Sequence, residues 1–282
     1  MNDKVIVDTH VHVLGADRKK YPRQLRDVIP PNFVWTRDDF TAEQLISAMN
    51  QGGMARALLV QAQNAYRSDN NYIVDMAEKY PDRFKAVCVV DARDADAADQ
   101  LEHWVRERGA VGGRMMFQTA DFQVDDERVA PVMQRARALN VPMCIYVWWQ
   151  ELPRFAMLLR RFPDQMIALD HMGHPNLEDG IPYINAAPLL DLARHKNLVL
   201  KFSTTTLLAA SKGSSLTRDW FMHLIDSYGS ERLMWGSNYP MNHEHPVPGL
   251  VDMARRELSF LGAGDFDNLM GGTALGLYPS LV

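Results

Sequence analysis

Residues 4–12 read KVIVDTHVH, so that an apolar, β-branched run leads directly into two histidines. A near-continuous apolar run of this length is typical of a parallel strand whose two faces are both buried. Seven more runs of this kind follow, at a spacing of roughly 30 residues, about the length of one strand–helix unit. The eight predicted strands are residues 4–8, 56–62, 85–91, 111–116, 141–147, 166–171, 198–203 and 233–238.

Helical segments lie between these runs, and capping residues mark their ends. Thr41 and Gln44 have the spacing of a capping box and predict a helix over residues 41–51, which a pair of glycines closes. Eight strand–helix units in 282 residues predict an α/β fold, a (β/α)8 TIM barrel forming a single domain over residues 1–282. A doubly wound open sheet is the alternative, but no Gly-rich dinucleotide fingerprint follows the first strand.

Composition excludes several classes of protein. Hydrophobic residues make up 47% and charged residues 23% of the chain, which excludes a disordered or collagen-like polypeptide. The net charge of -5 argues against nucleic acid as a partner, because nucleic-acid-binding modules usually carry a basic patch. The sequence shows neither an apolar window long enough for a membrane span nor the apolar core of a signal peptide. These features predict a cytoplasmic protein without a membrane partner.

The two cysteines, Cys88 and Cys144, each lie inside an apolar run. Buried cysteines of a cytoplasmic protein are expected to be reduced, so we predict core thiols rather than a disulfide. The expected partner is a small-molecule substrate, with further copies of the same chain in a homo-oligomer as an open alternative.

The segment after the first strand is too long for a plain connection. Residues 13–39 contain Pro22, Pro30, Pro31 and Trp35, and long loops in compact domains are usually functional or disordered. The active site of a TIM barrel lies on the face where its strands end, and this segment starts there. We therefore predict that residues 13–39 form a lid over the site.

The chain has nine histidines, and six of them follow the carboxyl ends of predicted strands. These six are His10, His12, His171, His174, His243 and His245. Residues i and i+2 of a strand point the same way, so His10 and His12 are expected to enter the barrel mouth together. Neutral imidazoles held together can bind a divalent metal ion, or they can polarise a carbonyl group and transfer protons.

Four motifs resemble those of the amidohydrolase superfamily. They are DTHVH at residues 8–12, DHMGHP at 170–175, WGSNYP at 235–240 and GGTALGLYP at 271–279. The chain is most similar to the amidohydrolase-2 branch, which includes 2-pyrone-4,6-dicarboxylate lactonase and sugar-acid lactonases. The resemblance covers essentially the whole chain. It implies a (β/α)8 barrel and hydrolysis of a C–O bond in a lactone or related ester.

The resemblance also implies a set of metal ligands, from which this sequence departs. Metal-dependent members use the HxH pair, a Lys or Glu on strand four, histidines on strands five and six, and an Asp after strand eight. His10, His12 and His171 match this pattern, but Tyr146 and Asn238 stand where a His and the Asp belong. Two alternatives follow. Either three imidazoles hold one divalent ion, Zn²⁺ or Mn²⁺, or the enzyme has no cofactor.

The lactonase branch provides the metal-free interpretation. There a strand-five tyrosine is present, histidines polarise the ester carbonyl and arginines bind carboxylates. By position, Arg114 and Tyr146 carry over as residues that bind and position the substrate. His174 replaces an arginine of the branch, and histidine is a poor substitute in a bidentate carboxylate clamp. We therefore expect a mono-anionic or neutral polyol lactone rather than a dicarboxylate.

Asn238 raises the question of the general base, because an amide does not accept a proton at neutral pH. The base is then a histidine, with His171 best placed, or it comes from the loop after strand eight, where His243 and Glu244 are candidate substrate-binding residues. A deliberate Asp→Asn replacement is the third alternative. We favour a natural Asn238 that orients water or substrate by hydrogen bonding.

Other residues near the strand ends are weaker candidates. Trp148 is expected to form a wall of the substrate pocket. Asp8 and Asp170 precede ligand-type histidines, and alternation along a strand is expected to turn both away from those side chains, into buried hydrogen bonds rather than catalysis. Lys201 and Ser203 would point towards the mouth if the predicted register is right.

These observations predict a hydrolase that opens a small lactone or ester by water attack, with His10, His12, His171 and Asn238 at its catalytic centre. A metal-dependent non-oxidative decarboxylase of the same superfamily is one alternative. A catalytically inert barrel retained for ligand binding is another.

Overall fold

Eight short parallel strands form one sheet. The computed structural model describes residues 5–25, 33–37, 39–119 and 121–282. The strands are β1 Val7–Val11, β2 Arg56–Val60, β3 Phe84–Val89, β4 Gly112–Met116, β5 Met143–Tyr146, β6 Ile167–Leu169, β7 Leu198–Ser203 and β8 Leu233–Gly236. Each strand pairs in parallel with the next one along the chain. The predicted TIM barrel is confirmed, since a doubly wound sheet would reverse its strand order.

Hydrogen bonds at the mouth join the first strand to the last and bring the barrel close to closure. Asn238 N–H donates to the His10 carbonyl (2.8 Å) and His12 N–H to the Tyr239 carbonyl (2.9 Å). Further down, the Thr9 hydroxyl donates to the Trp235 carbonyl (2.7 Å). The two chain segments of this seam pack tightly at Gly236, where an added Cβ would lie 2.6 Å from His10 Cβ. The seam thereby fixes the HxH pair against the end of β8.

Helices surround the sheet. They are α1 Val34–Arg37, α2 Ala42–Gly52, α3 Gln63–Tyr66, α4 Asn71–Lys79, α5 Ala97–Arg106, α6 Val129–Ala138, α7 Leu152–Arg161, α8 Ala187–Asp191, α9 Thr204–Lys212, α10 Thr217–Tyr228, α11 Val247–Glu257, α12 Ala263–Asp267 and α13 Thr273–Leu277. The predicted capping box is present at α2: Gln44 N–H donates to Thr41 Oγ1 and Thr41 N–H to Gln44 Oε1. Gly53 ends the helix with a φ of 68°, a conformation that favours glycine.

Buried side chains form two layers, one inside the sheet and one between sheet and helices. The inner layer contains Val7, Leu58, Val60, Val87, Cys144, Ala168, Val199 and Met234, with Ala274, Tyr278 and Leu281 from the C-terminal segment packed against them. Alternate strand residues, such as Cys88 and Ile145, pack outwards against helices. Both cysteines are free and buried, which confirms the predicted reduced thiols.

The first strand lies further along the chain than predicted, and its pairing is irregular. It spans Val7–Val11 rather than residues 4–8, so that His10 lies within the strand and only His12 follows it. Strict alternation from Val7, an inner-layer residue, would also turn Val11 inwards. Val11 instead packs in the outer layer, because the register with β2 shifts between Asp8 and Val11. A shift of this kind re-aims side chains, and here it directs both histidines inwards.

The predicted lid at residues 13–39 is described only in part. Residues 26–32 and 38, including Pro30 and Pro31, lie outside the described residues. The ends of the segment are held together by paired backbone hydrogen bonds between Leu14 and Phe40. Within it, Trp35 is buried. The lid function stays a prediction. In the part of the chain that the structure describes, no helix has the length and apolar character needed to cross a membrane.

Candidate active site

A cavity of about 320 Å³ opens at the carboxyl end of the strands. Seven residues singled out in the sequence line it: His12, Arg114, Tyr146, Trp148, His171, His174 and Asn238. A larger cavity, about 750 Å³, lies at the opposite end of the barrel between Val141, Met166 and Gly276. In TIM barrels the chemistry is found at the carboxyl end, so the smaller cavity is the candidate site.

Four of the six predicted mouth histidines form one cluster. The ring centroids of His10 and His12 are 4.9 Å apart, and those of His10 and His171 are 4.6 Å apart. His174 continues the cluster, with its ring 5.0 Å from that of His171. His10 lies between His12 and His171 and below the cavity, whereas His12, His171 and His174 line the cavity.

Hydrogen bonds orient two of the imidazoles. His12 Nδ1–H donates to the Val60 carbonyl (2.8 Å), because a carbonyl oxygen can only accept. This tautomer leaves the lone pair of His12 on Nε2. Nδ1 of His171 lies 3.0 Å from the Ser203 hydroxyl, so its Nε2 is also the nitrogen left for the cavity. Ser203 faces the mouth, as predicted for β7.

Burial keeps these imidazoles neutral at pH 7. It lowers the pKa of His10 and of His174 to about 4 in each case, despite the opposing effect of the Asp170 carboxylate. Burial likewise holds the pKa values of His12 and His171 well below 6.5. Neutral imidazole is the form that can accept a proton or a hydrogen bond, and His12 presents the lone pair of its Nε2 to the cavity.

Asp170 connects the histidine cluster to two buried cations. Its carboxylate accepts a hydrogen bond from Arg114 Nε (2.7 Å) and lies 3.5 Å from Lys201 Nζ and 3.4 Å from His10 Nδ1. Burial alone would raise the pKa of this carboxyl, but Lys201 and Arg114 outweigh it and hold the pKa well below 3.8. Asp170 is therefore ionised, and it fixes the Arg114 guanidinium at the floor of the cavity.

Asp170 has the predicted buried hydrogen-bond role, since it accepts from Arg114 Nε, but it does not turn away from the histidines, because its carboxylate lies 3.4 Å from His10 Nδ1. Strand β6 ends at Leu169, an outer-layer residue, so alternation directs Asp170 inwards. His171 also reaches the mouth because it leaves the strand conformation, with a φ of 53°. Asp8 also has the predicted buried hydrogen-bond role: Oδ1 accepts from the backbone N–H groups of His10 and Ser237.

Aromatic side chains surround the polar groups. The Arg114 guanidinium lies 5.7 Å from the Tyr146 ring centroid, and burial raises the pKa of the Tyr146 phenol, which keeps it a hydrogen-bond donor. Trp148 stacks on His174 with centroids 4.3 Å apart and is 45% exposed, so it lies at the rim. Trp35 lines the opposite side of the cavity, 5.2 Å from the ring of His12.

Asn238 lines the cavity together with Met241 and Asn242 of the same loop, but the histidines of that loop and Glu244 do not. Asn238 is 8% exposed and has a φ of 56°, a left-handed conformation that asparagine tolerates better than most residues. His243 and Glu244 are exposed in the loop and do not line the cavity. His245 is exposed as well. The substrate-binding role of His243 and Glu244 stays a prediction without support from this geometry.

The chemistry of His10, His12 and His171 suits a metal ion, but their arrangement does not. Neutral imidazoles are common ligands of Zn²⁺. Across residues 5–25, 33–37, 39–119 and 121–282, however, no group of three or more His, Cys, Asp or Glu side chains is arranged to hold a metal ion. A reaction without metal relies on the protein's own groups, and metal analysis of the purified protein tests the predicted Zn²⁺ or Mn²⁺.

The cavity at the carboxyl end of this parallel barrel is surrounded by neutral imidazoles, a guanidinium and a phenol. These groups are the ones expected in the acid–base site of a barrel enzyme, which is the class of this protein. The Amidohydrolase family model matches residues 7–280, so the chain belongs to the amidohydrolase family, a family of hydrolases.

Individual relatives are distant but cover most of the chain. An L-fucono-1,5-lactonase of Burkholderia ambifaria is 26% identical over 241 residues, 84% of this chain and 80% of the relative. A 2-pyrone-4,6-dicarboxylate hydrolase of Comamonas testosteroni is 26% identical over 259 residues, 87% of this chain and 81% of the relative. A crystal structure of a Burkholderia multivorans amidohydrolase with bound zinc superposes with a TM-score of 0.77 at 23% identity, covering 98% of this chain and 99% of that one.

Proposed function

We propose that this amidohydrolase opens the ring of a small lactone by attack of water on the ester carbonyl. The observation that carries the proposal is the arrangement of His12 and His171, as neutral proton acceptors, around the same cavity as the donors Arg114 and Tyr146. The names of the lactonase and the pyrone hydrolase among its relatives support the same reaction class.

The proposed reaction begins with the lactone carbonyl near Arg114 and Tyr146. Water attacks the carbonyl carbon and His171 takes a proton from it, as Asp170 partly offsets the burial that disfavours the imidazolium. The negative charge on the tetrahedral intermediate is stabilised by the guanidinium and the phenol, donors of a kind worth on the order of 10²–10³ in rate. The ring C–O bond then breaks, and the imidazolium returns its proton to the leaving oxygen.

The polar groups of the cavity favour a neutral polyol lactone, or one with a single carboxylate. Arg114 is the one arginine among the described residues that line the cavity, and Asp170 already binds its Nε. A second carboxylate would face His174, a neutral ring stacked on Trp148, which makes a poor clamp. Trp35 and Trp148 instead offer apolar faces against which a sugar ring can pack.

The proposal is tested with a panel of lactones, read by acid release at pH 7. We expect turnover of one or more aldonolactones and little turnover of 2-pyrone-4,6-dicarboxylate. Metal content is measured on the same preparation, and activity is compared before and after chelation. Activity that is lost with about one equivalent of Zn²⁺ or Mn²⁺ would contradict the metal-free steps above. Tight binding of a lactone without turnover would support the alternative of a catalytically inert barrel. Release of CO₂ would support the alternative of a decarboxylase.

Asn238→Asp tests whether residue 238 is a replaced general base or a natural asparagine. We expect activity to change by less than about tenfold, because a natural Asn238 contributes hydrogen bonding that a carboxylate partly retains. The measurement is kcat for the best lactone, with Asn238→Gly as the matched control that removes the polar group and still adopts the φ of 56°. A rise of several decades in Asn238→Asp would identify the residue as a replaced general base.

A further inference from the structure

Directly below the cavity floor, a lysine and a cysteine contact each other inside the barrel. Lys201 Nζ donates a hydrogen bond to Cys144 Sγ over 3.1 Å, and both side chains are buried. Cys144 precedes the cavity-lining Tyr146 by two residues on β5, so the pair lies one inner layer below the cavity. Apolar branched residues usually fill such a layer, and the candidate reaction does not use either group.

Two further contacts hold the pair in place. On the lysine side, Asp170 Oδ1 lies 3.5 Å from Nζ. On the cysteine side, the Tyr278 hydroxyl lies 3.5 Å from Sγ. The nearest nitrogen nucleophile to the sulfur is thus fixed at contact distance, and the chain has little freedom to separate the two groups.

We propose that Cys144 and Lys201 form an oxidation site, in which a peroxide such as H₂O₂ joins the two side chains through a sulfur–nitrogen bond. In the first step the sulfur attacks one peroxide oxygen. An S–O bond forms, the O–O bond breaks, water leaves and Cys144 becomes a sulfenic acid. In the second step Lys201 loses a proton to solvent, and its amine attacks the sulfur. The S–N bond forms, the S–O bond breaks and a second water leaves.

The balance is one thiol, one ammonium and one peroxide giving one sulfenamide, two waters and one proton. Sulfur is oxidised by two electrons and the peroxide is reduced by two. The linked nitrogen is neutral, so Asp170 loses the positive charge that the unmodified Lys201 places 3.5 Å from its carboxylate. Because Asp170 also binds Arg114, oxidation of this pair would loosen the floor of the cavity, and a thiol reductant would restore it.

The chain supplies its own control in Cys88. Both cysteines are fully buried, but Cys88 packs in the outer layer among apolar side chains. Burial raises the pKa of the Cys88 thiol far above its ordinary value, which suppresses the reactive thiolate. Reaction at Cys144 and not at Cys88 would therefore report the lysine contact rather than burial.

The test is a time course of the folded, full-length protein in H₂O₂, followed by tryptic digestion and mass spectrometry without reductant. We expect a linked pair of peptides, 138–154 and 197–212, about two hydrogen masses lighter than their sum, because the modified lysine is not cleaved. Cys144 should be consumed on the order of tenfold faster than Cys88. Treatment with dithiothreitol should regenerate both peptides.

Two variants make the outcome decisive. Lys201→Met keeps the length of the side chain but removes the amine, so Cys144 should progress to sulfinic acid without a link. Cys144→Ser should leave residues 197–201 unmodified and remains informative if Lys201→Met does not fold. The proposal is overturned if wild-type Cys144 reaches sulfinic acid with no linked peptide. It is also overturned if Cys88 reacts as fast as Cys144, or if neither reacts once exposed Met157 is fully oxidised.

Discussion

Replacing His171 should reduce the turnover of the best lactone by about 10²–10⁴-fold while the protein remains folded, because the proposed reaction loses its general base. The loss should appear in kcat. Arg114 and Tyr146 remain to bind the ground state, so KM should change much less. Activity above the uncatalysed rate should persist, since these two donors still stabilise the tetrahedral intermediate.

The choice of substitution matters here. His171 has a φ of 53°, where alanine is disfavoured by about 1–2 kcal/mol and asparagine is better tolerated. We therefore prefer His171→Asn, with thermal unfolding measured alongside kinetics. His103→Asn is the matched control, because His103 lies exposed on α5 and does not line the cavity. Wild-type kcat in His171→Asn would show that another group is the base, with His12 the next candidate.

Much of the fold could be predicted because its signals are local. Near-continuous apolar runs predicted the strands, and the Thr41–Gln44 spacing predicted the capping box that the structure contains. The convergence of His10, His12, His171 and His174 also followed from the sequence. Each of these residues comes at the end of a parallel strand, and those ends meet at one face of a barrel.

The rest of the site depends on departures from regular geometry that leave no local signal. The register shift between Asp8 and Val11 and the left-handed backbone at His171 decide which side chains point inwards. Sequence reasoning assumed strict alternation, so it turned Asp170 away from the histidines, although it expected the buried hydrogen bond that the structure contains. The contacts of Asp170 with Arg114 and Lys201 bring together three different strand ends, and single-sequence periodicity carries no information about such pairs. The sequence did contain one indication of this contact: Arg114 and Lys201 both lie on predicted buried strands, and two buried cations need a nearby carboxylate.

Asp170→Asn should be the most destabilising single substitution in the site. It leaves the buried cations Arg114 and Lys201 without their shared carboxylate, and breaking a buried ion pair in this way costs about 3–5 kcal/mol. Activity should fall as well, because Arg114 loses the partner that positions it. The measurement is the free energy of unfolding in urea at pH 7, together with kcat.

Asp8→Asn is the matched control, since Asp8 is also fully buried beside the site, but its Oδ1 accepts hydrogen bonds from the backbone N–H groups of His10 and Ser237. An amide oxygen can still accept them, and burial already raises the pKa of this carboxyl, so we expect a cost of no more than about 1–2 kcal/mol. Equal destabilisation by the two variants would mean that buried volume and hydrogen bonding, rather than the two cations, account for the effect at Asp170.

Two further measurements isolate the charge interaction. In the double variant Asp170→Asn with Lys201→Met, one anion and one cation are removed together, so its destabilisation should be smaller than the sum of the single effects by about 0.5–3 kcal/mol. The second measurement is the pH dependence of stability. The pKa of Asp170 is lower in the folded state than its ordinary value of 3.8. Its contribution to the stability of the folded protein is therefore complete at pH values above 3.8 and is lost as the pH falls below 3.8. The stability gap between wild type and Asp170→Asn should therefore narrow in acid, and a gap that stays constant down to unfolding would contradict an ionised Asp170.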